Sequence, residues 1–265
     1  MPNNQTALIT GASSGIGFEL ARCFARDGYH LVLAARDEAG LQEAANKLKA
    51  EFSGLQTTVV AADLSTHEGP QQLYDATKAR GLQIDVLVND AGFGEAGLFV
   101  ETDLQKEIGI VHVNVMSLMV LTKLFLRDMV ARDAGKILQV GSVVSFLPNP
   151  RQAVYAASKA FVLSFSEALQ QELKEQKSGV TITILCPPAT ETNFFKVAGA
   201  ENTKVGQSDK ATPEEVARGG YEALLKGEAR SLPTFGAKLN FASSALFPDS
   251  LLALMMQSQM QEEKK

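Results

Sequence analysis

Apolar and polar positions follow two alternating rhythms along this chain. Short, near-continuous apolar runs of β-type residues occur at Thr6–Thr10, His30–Ala35, Thr57–Ala62, Ile84–Asn89, Lys136–Val140, Val180–Leu185 and, more weakly, Arg230–Thr234. Runs of this kind are expected of strands covered on both faces. Between them the apolar positions take up helical spacing, at Ile16–Asp27, Glu38–Phe52, Glu68–Arg80, Asp103–Arg132, Gln152–Lys177 and Pro213–Lys226. Strand–helix alternation throughout predicts an α/β fold, a doubly wound parallel sheet with right-handed crossovers. No linker, repeat or low-complexity block interrupts it, so residues 1–265 read as a single domain.

Two stretches break the rhythm. Residues 190–212 are long for a loop in a compact domain, which points to a substrate lid. Residues 235–265 form a C-terminal extension, mixed at first and then apolar from Leu246 to Met256, a helix with Asp249 or Ser250 as N-cap. Four roles stay open for that helix: packing on its own domain or a partner subunit, a substrate flap, an oligomer surface, or a membrane-surface helix. Basic residues beside its apolar face are scarce, which counts against the last.

Composition narrows the function classes. Of 265 residues, 45% are hydrophobic and 21% charged, ordinary values for a globular protein. The net charge of -5 gives no electrostatic case for nucleic acid as a partner. Cys23 and Cys186 make no disulfide framework and sit in apolar runs as core thiols, and His30, His67 and His112 are isolated; no metal site is expected. Met1–Gln5 is short and polar, no secretory segment is expected, and no apolar run reaches the ~18 residues of a membrane span, so the expected compartment is a reduced cytoplasm.

The first strand–helix junction carries Thr10-Gly11-Ala-Ser13-Ser14-Gly15-Ile16-Gly17. Its glycines let the backbone turn tightly and approach a ligand, and the helix that follows offers free N–H groups and a positive dipole end to a diphosphate. The spacing differs from the common dinucleotide pattern, but its place at the first junction of an alternating fold points to a nucleotide. At the end of the second strand an NAD enzyme places a carboxylate for the ribose 2′-OH. Here Ala35 is followed by Arg36, which suits a 2′-phosphate instead and favours NADP(H). Asp63, ending the third strand, is placed either to bond an adenine amino group or to cap the next helix.

Tyr155 and Lys159 lie one helical turn apart on one face. A phenol with its ordinary pKa of about 10 is a poor acid or base at neutral pH, and a nearby ammonium favours phenolate; a shift of about three units needs about 4 kcal/mol. The pair therefore reads as a proton donor and acceptor.

With these elements in order, the sequence strongly resembles the short-chain dehydrogenase/reductase family in its short single-domain branch, from Thr6 to Tyr221. The matching residues are the glycine turn, Asp63, Asn89-Asp90-Ala91-Gly92, Asn114, Ser142, Tyr155-x-x-x-Lys159 and the run Pro187–Thr192. The resemblance implies a Rossmann-type sheet binding a nicotinamide cofactor through Gly11, Ser13, Ser14, Gly15, Ile16, Gly17, Arg36, Asp63, Leu64, Asn89, Ala91, Gly92, Tyr155, Lys159, Pro187, Thr190 and Thr192. It implies that Ser142 bonds the substrate oxygen, Tyr155 moves the proton, Lys159 holds the nicotinamide ribose and lowers the Tyr155 pKa, and Asn114 holds a water of the proton relay. Two positions depart from the family pattern: Asp90 stands where Asn is usual, adding charge near the cofactor or near the Asn114 helix, and Pro188 stands where Gly is usual, altering the loop path.

The implied reaction is hydride transfer between NADP(H) and a carbonyl or secondary alcohol, in the direction of reduction. Phe93, Phe99, Val144, Phe146 and Leu147 are expected to border the crevice or else to lie in the core, with Phe194, Phe195, Val197 and Ala198 closing over it; they suggest an apolar substrate. A 3-oxoacyl-thioester reductase of lipid metabolism is the alternative within enzymes, and a non-catalytic NADP(H)-binding sensor module the alternative outside them. By analogy with the family, the chain is expected to be a homo-oligomer, a dimer or tetramer built through Asp103–Arg132 and Gln152–Lys177.

Overall fold

In the computed structural model, which describes residues 5–262, seven strands form one parallel sheet in the order β3-β2-β1-β4-β5-β6-β7. The first half runs β1 (Thr6–Thr10), α1 (Gly15–Arg26), β2 (His30–Ala35), α2 (Glu38–Glu51), β3 (Thr57–Ala61), α3 (Gly69–Ala79) and β4 (Val86–Asn89). The second runs α4 (Leu104–Val111), α5 (Leu118–Ala131), β5 (Gly135–Val140), α6 (Ala153–Glu175), β6 (Val180–Leu185), α7 (Phe194–Val197), α8 (Lys204–Gln207), α9 (Pro213–Lys226), β7 (Arg230–Ser231), α10 (Phe235–Leu246) and α11 (Asp249–Gln259). Residues 1–4 and 263–265 of the expected single domain lie outside the described residues.

The sheet has an apolar layer on each face, as near-continuous apolar strands require. One layer joins Ile9, Leu31 and Leu33 to Leu20, Phe24, Tyr221 and Leu224 of α1 and α9. The other joins Leu8, Val32, Leu87 and Ile182 to Leu121, Phe125, Met129 and Leu173 of α5 and α6. The strand order reverses between β1 and β4, which run side by side with Ala7 opposite Val86 and Ile9 opposite Val88. In a doubly wound sheet, a ligand crevice opens at this reversal, beyond the carboxyl ends of the strands.

Three elements differ from the sequence expectation. The helix expected at Asp103–Arg132 is continuous but not uniform: His112–Ser117 forms a π-turn between α4 and α5. Such a turn inserts extra backbone into a helix and commonly marks a functional site; here it contains Asn114. The same run, Leu104–Ala131, is by length and composition apolar enough to cross a membrane, an 18-residue window of it having a mean hydropathy of 1.7. That corrects the expectation that no such run exists, although the inner face of α5 packs on the sheet through Leu121, Phe125 and Met129. Last, the mixed stretch after Thr234 is a helix in its own right, α10, with the Thr234 hydroxyl as its cap, and α11 begins after Pro248 rather than being capped by Asp249 or Ser250. Asp249 sits inside the first turn, where a carboxylate favours the helix dipole.

The break at 190–212 is not bare loop. It carries α7 and α8, and its two ends are zipped together by Glu191 N–H to the Ala211 carbonyl at 2.9 Å and Ala211 N–H to the Ala189 carbonyl at 3.0 Å. The C-terminal tail holds it from outside. Lys204 N–H donates to the Gln261 carbonyl at 2.9 Å, and Met260 packs on Ala198 and Ala200 with Phe194, Phe195 and Val205 beside them.

Candidate active site

A cavity of about 560 Å³ opens at the carboxyl ends of β1, β4, β5 and β6. Its floor is built from the turns that follow these strands. The Thr10 hydroxyl accepts hydrogen bonds from the N–H groups of Asp90 and Ala91, each at 3.1 Å, and donates to the Val88 carbonyl at 3.2 Å. One side chain thus locks the end of β1 to the turn after β4. Gly11, Ser13, Ser14, Gly15 and Ile16 line one end of the cavity. Only glycine fits at position 17: a Cβ there would sit 2.5 Å from the Gly11 carbonyl oxygen and 2.6 Å from Asp90 Oδ2. Gly11 itself has φ of 72°, which L side chains rarely adopt. Ser14, the residue before α1, makes no side-chain cap, and while Gly17 N–H turns to Asp90 and Phe18 N–H to the Ser14 carbonyl, the N–H groups of Gly15 and Ile16 are left for a ligand. These residues fit a diphosphate-bearing nucleotide.

The opposite wall carries the acid–base group. Ser142, two residues past β5, caps a short 3₁₀ turn, Val143–Phe146, in which its hydroxyl accepts from Val144 N–H at 3.3 Å while its own N–H donates to the Ser145 hydroxyl at 3.1 Å. The Ser142 and Tyr155 side chains face the same cavity, and Ser142 acts to lower the Tyr155 pKa. Lys159, buried, donates to the Val140 carbonyl at 2.8 Å, and its ammonium lies 5.8 Å from the centroid of the Tyr155 ring. Helix spacing accounts for the last relation, since residues four apart stack on one face. Asn114, 1% exposed, bonds through its amide to Phe93, accepting from its N–H at 3.2 Å and donating to its carbonyl at 3.0 Å, and donates to the Ser158 hydroxyl at 3.0 Å. Gly92 lets the Asn114 amide and Lys159 approach: a Cβ there would lie 3.1 Å from Asn114 Oδ1 and 3.4 Å from Lys159 Nζ.

The electrostatics correct one expectation. Burial pushes the Tyr155 phenol up to about 12, the Ser142 hydroxyl opposes that, and the negative charge of Asp90 adds to it. The expected lowering by Lys159 is not seen: desolvation dominates, and the ammonium is turned to the Val140 carbonyl. Lys159 is itself held below the ordinary lysine value by desolvation, with Asp90 pulling the other way. Asp90 is raised above the carboxylate range by desolvation, against the pull of Lys159 and a hydrogen bond from Gly17 N–H. Of the two alternatives for its charge, the structure shows the cofactor side: Asp90 lies against the glycine turn, and it acts on Lys159 of α6.

Of the residues expected to hold a cofactor, Gly11, Ser13, Ser14, Gly15, Ile16, Ala91, Gly92, Tyr155, Lys159, Pro187, Thr190 and Thr192 line the cavity. The others do not. Gly17 is buried beneath the turn. Asn89 points inward, donating to Thr122 Oγ1 at 3.1 Å and Gln139 Oε1 at 3.0 Å, because a strand-end amide between two covered faces must find partners inside. The Leu64 side chain is in the core, and its carbonyl accepts from the Ser117 hydroxyl at 2.6 Å. Asp63 turns to Ser65, accepting from its hydroxyl at 2.6 Å and its N–H at 3.0 Å, and feels the positive charge of Arg36. Arg36 is exposed at the end of β2. Pro188 lines the cavity, and its carbonyl takes the Thr190 hydroxyl at 2.8 Å.

The apolar wall also departs from expectation. Phe93, Val144, Phe194, Phe195 and Val197 line the cavity. Phe99 is 62% exposed, and Ala198 is buried in a cluster with Ala200 and Met260. Phe146 stacks edge-on against Phe241 at 5.0 Å with Arg230 over its ring, and Leu147 packs with Val143 and Val144. The larger omission is the far wall: Val205, Asn240, Met255, Met256, Gln259 and Met260. The apolar run Leu246–Met256 was the signal, but only the folded path of α10 and α11 brings it to the crevice.

The family model described as short chain dehydrogenase matches residues 5–203. The chain belongs to the short-chain dehydrogenase family. It is an oxidoreductase of that family with a nucleotide-binding Rossmann sheet. An uncharacterized oxidoreductase of Staphylococcus saprophyticus is 30% identical over 83% of this chain and 91% of its own length. A very-long-chain 3-oxoacyl-CoA reductase of Anas platyrhynchos is 33% identical over 80% of this chain, which spans 66% of that longer protein. Among solved structures, a short-chain dehydrogenase from Sphingobium yanoikuyae in complex with NADPH superposes with a TM-score of 0.79 at 30% identity, over 91% of this chain and 93% of that one. One from Burkholderia phymatum in complex with NAD gives 0.82 at 26% identity, over 99% and 98%. Family members similar to this chain therefore include both NADPH and NAD complexes.

Proposed function

We propose that this short-chain dehydrogenase moves hydride between NADP(H) and the carbonyl or secondary alcohol of an apolar substrate, in the direction of reduction. The observation that carries the reading is the convergence on one cavity of Ser142 and Tyr155, Lys159 beside the Tyr155 ring, and the glycine turn at the other end. The cofactor supplies the hydride chemistry when bound. The glycine turn and the free N–H groups of α1 would hold its diphosphate, and Thr190, Thr192 and Pro187 would border the nicotinamide.

Ser142 and Tyr155 donate hydrogen bonds to the substrate oxygen, and Tyr155 gives up its proton as charge develops there. A phenol held near 12 stays protonated at neutral pH, the form a reductase needs in its donor. Lys159, adjacent to the ring, stabilises the phenolate left behind, and Asn114 fixes the Phe93 backbone beside it. Arg36 supports the choice of NADP(H), since it lies exposed at the end of β2 beyond Ala35 and so leaves no carboxylate at that place to bind a free ribose 2′-OH.

The likeness to the duck very-long-chain 3-oxoacyl-CoA reductase favours one second reading, a 3-oxoacyl thioester as substrate. Nicotinamide absorbance with NADPH and NADH, against a panel of ketones, aldehydes, oxoacyl thioesters and steroids, tests both. Turnover of none of them with either cofactor would overturn the proposal.

A further inference from the structure

We infer that Asn149 and Gln152 form a second recognition point in the cavity, for a neutral group on the substrate that both donates and accepts a hydrogen bond, a hydroxyl or a primary carboxamide. This inference deepens the proposed reaction and rests on it. Both residues line the cavity, at only 4% and 6% exposure. Asn149 Nδ2 donates to Gln152 Oε1 at 3.0 Å, and the Gln152 N–H donates to the Asn149 carbonyl at 3.1 Å. That leaves Asn149 Oδ1 and Gln152 Nε2 without a partner. Turning both amides over gives the same result, because the pair then keeps one free N–H donor and one free oxygen.

A buried donor and a buried acceptor left unmade are costly, and native interiors seldom keep them. Here the backbone is also forced to present them. Arg151, between the two, has φ of 68°, a left-handed conformation that a side-chain-bearing residue holds only where its surroundings demand it. The last side-chain torsions of Asn and Gln lack steep wells, so a small rotation turns both groups toward a ligand.

Position sets the place of the group on the substrate. Gln152 is the N-cap of α6, three residues before Tyr155, and both line the cavity, so the polar group lies a few bonds from the carbonyl that Tyr155 serves. Charge sets its type. Asn149 Oδ1 would repel a carboxylate, and Lys159, the lysine of the wall, is already bonded to Val140. The remainder of the wall, with Val144, Phe194, Met255 and Met256, takes hydrocarbon.

Matched ketones test this. Acetopropyl alcohol and methyl butyl ketone differ by a hydroxyl in place of a methyl; levulinamide and methyl isoamyl ketone differ by a carboxamide in place of an isopropyl. With NADPH, the parent should favour at least one polar member over its hydrocarbon partner by about 100-fold or more in kcat/KM, since a site built for polar contacts rejects the analogue that lacks them. The arm that shows it identifies the group. In Asn149→Leu/Gln152→Met, which removes both amides together, the ratio should fall toward one. If the parent turns over both members of each pair alike, or the double variant keeps the parent's ratio, the inference is overturned while hydride transfer stands. The same pairs are compared by thermal shift of the parent and of the single variant Gln152→Met. Selective stabilisation that disappears in Gln152→Met without NADPH oxidation supports the recognition point and sinks the proposed reaction. Equal shifts without oxidation sink both.

Discussion

The Lys159 ammonium lies 5.8 Å from the centroid of the Tyr155 ring but spends its hydrogen bond on the Val140 carbonyl, at 2.8 Å. The pair is thus a neutral phenol beside a cation anchored to β5. Such an arrangement stabilises phenolate only once the proton has left.

Removal of the phenol hydroxyl tests that arrangement. Tyr155→Phe should lower kcat by about 100- to 10,000-fold, the usual contribution of a positioned proton donor. The ring contact with Phe194, 5.0 Å between centroids, is retained, so the melting temperature should hardly move. Turnover equal to the parent would exclude Tyr155 as the proton donor.

Arg36 sits exposed at the end of β2, close enough to Asp63 for its charge to be felt there. Arg36→Asp should weaken NADPH binding by about 10- to 100-fold, the worth of a hydrogen bond to a charged group, and leave NADH binding equal or improved. Nicotinamide fluorescence titration with both cofactors measures this. Unchanged NADPH affinity would mean that the 2′-phosphate is held elsewhere.

Asp90 gives a pH dependence of stability. Its carboxyl is raised to about 7 by desolvation, so between the ordinary carboxylate range and about pH 7 the folded protein keeps a proton that the unfolded chain has lost. Stability therefore falls as pH rises through that window, and the penalty is fully present above it. Asp90→Asn should remove this slope: urea midpoints for parent and variant should lie closer at pH 5 than at pH 7.5, with the variant gaining at the higher pH. Asp90 also raises the Lys159 pKa, so the variant's lysine should lose its proton at lower pH than the parent's. Parallel stability profiles from pH 4 to 8 would show that Asp90 does not titrate in this way.

Met260 tests the far wall. It is 3% exposed and packs on Ala198 and Ala200 of the 190–212 segment. Met260→Ala should cost about 2–5 kcal/mol of local packing and loosen the lid, raising KM for apolar substrates several-fold with a smaller effect on kcat. Steady-state kinetics with substrates of increasing length check it; a KM that is unaffected at every length would remove α11 from the substrate wall.

Much of this was legible in the chain because strand and helix periodicities, glycine turns and the Tyr155–Lys159 spacing are local properties. Burial on both faces writes itself into apolar runs, and four-residue spacing on a helix brings two side chains together whatever surrounds them. So the sequence alone determined the parallel sheet, the nucleotide cradle at Gly11–Gly17, and the row of Ser142, Tyr155 and Lys159 along one cavity wall. What it left open depends on contacts between distant segments. Whether Asn89 points to the cleft or to Thr122 and Gln139 depends on which strands flank it. The direction of the Tyr155 shift depends on how much water burial removes, and on an aspartate sixty-five positions earlier in the chain. The wall of Met255, Met256 and Met260 exists only because α10 and α11 fold back over the lid, and helical periodicity says that such a face is apolar without saying what it covers.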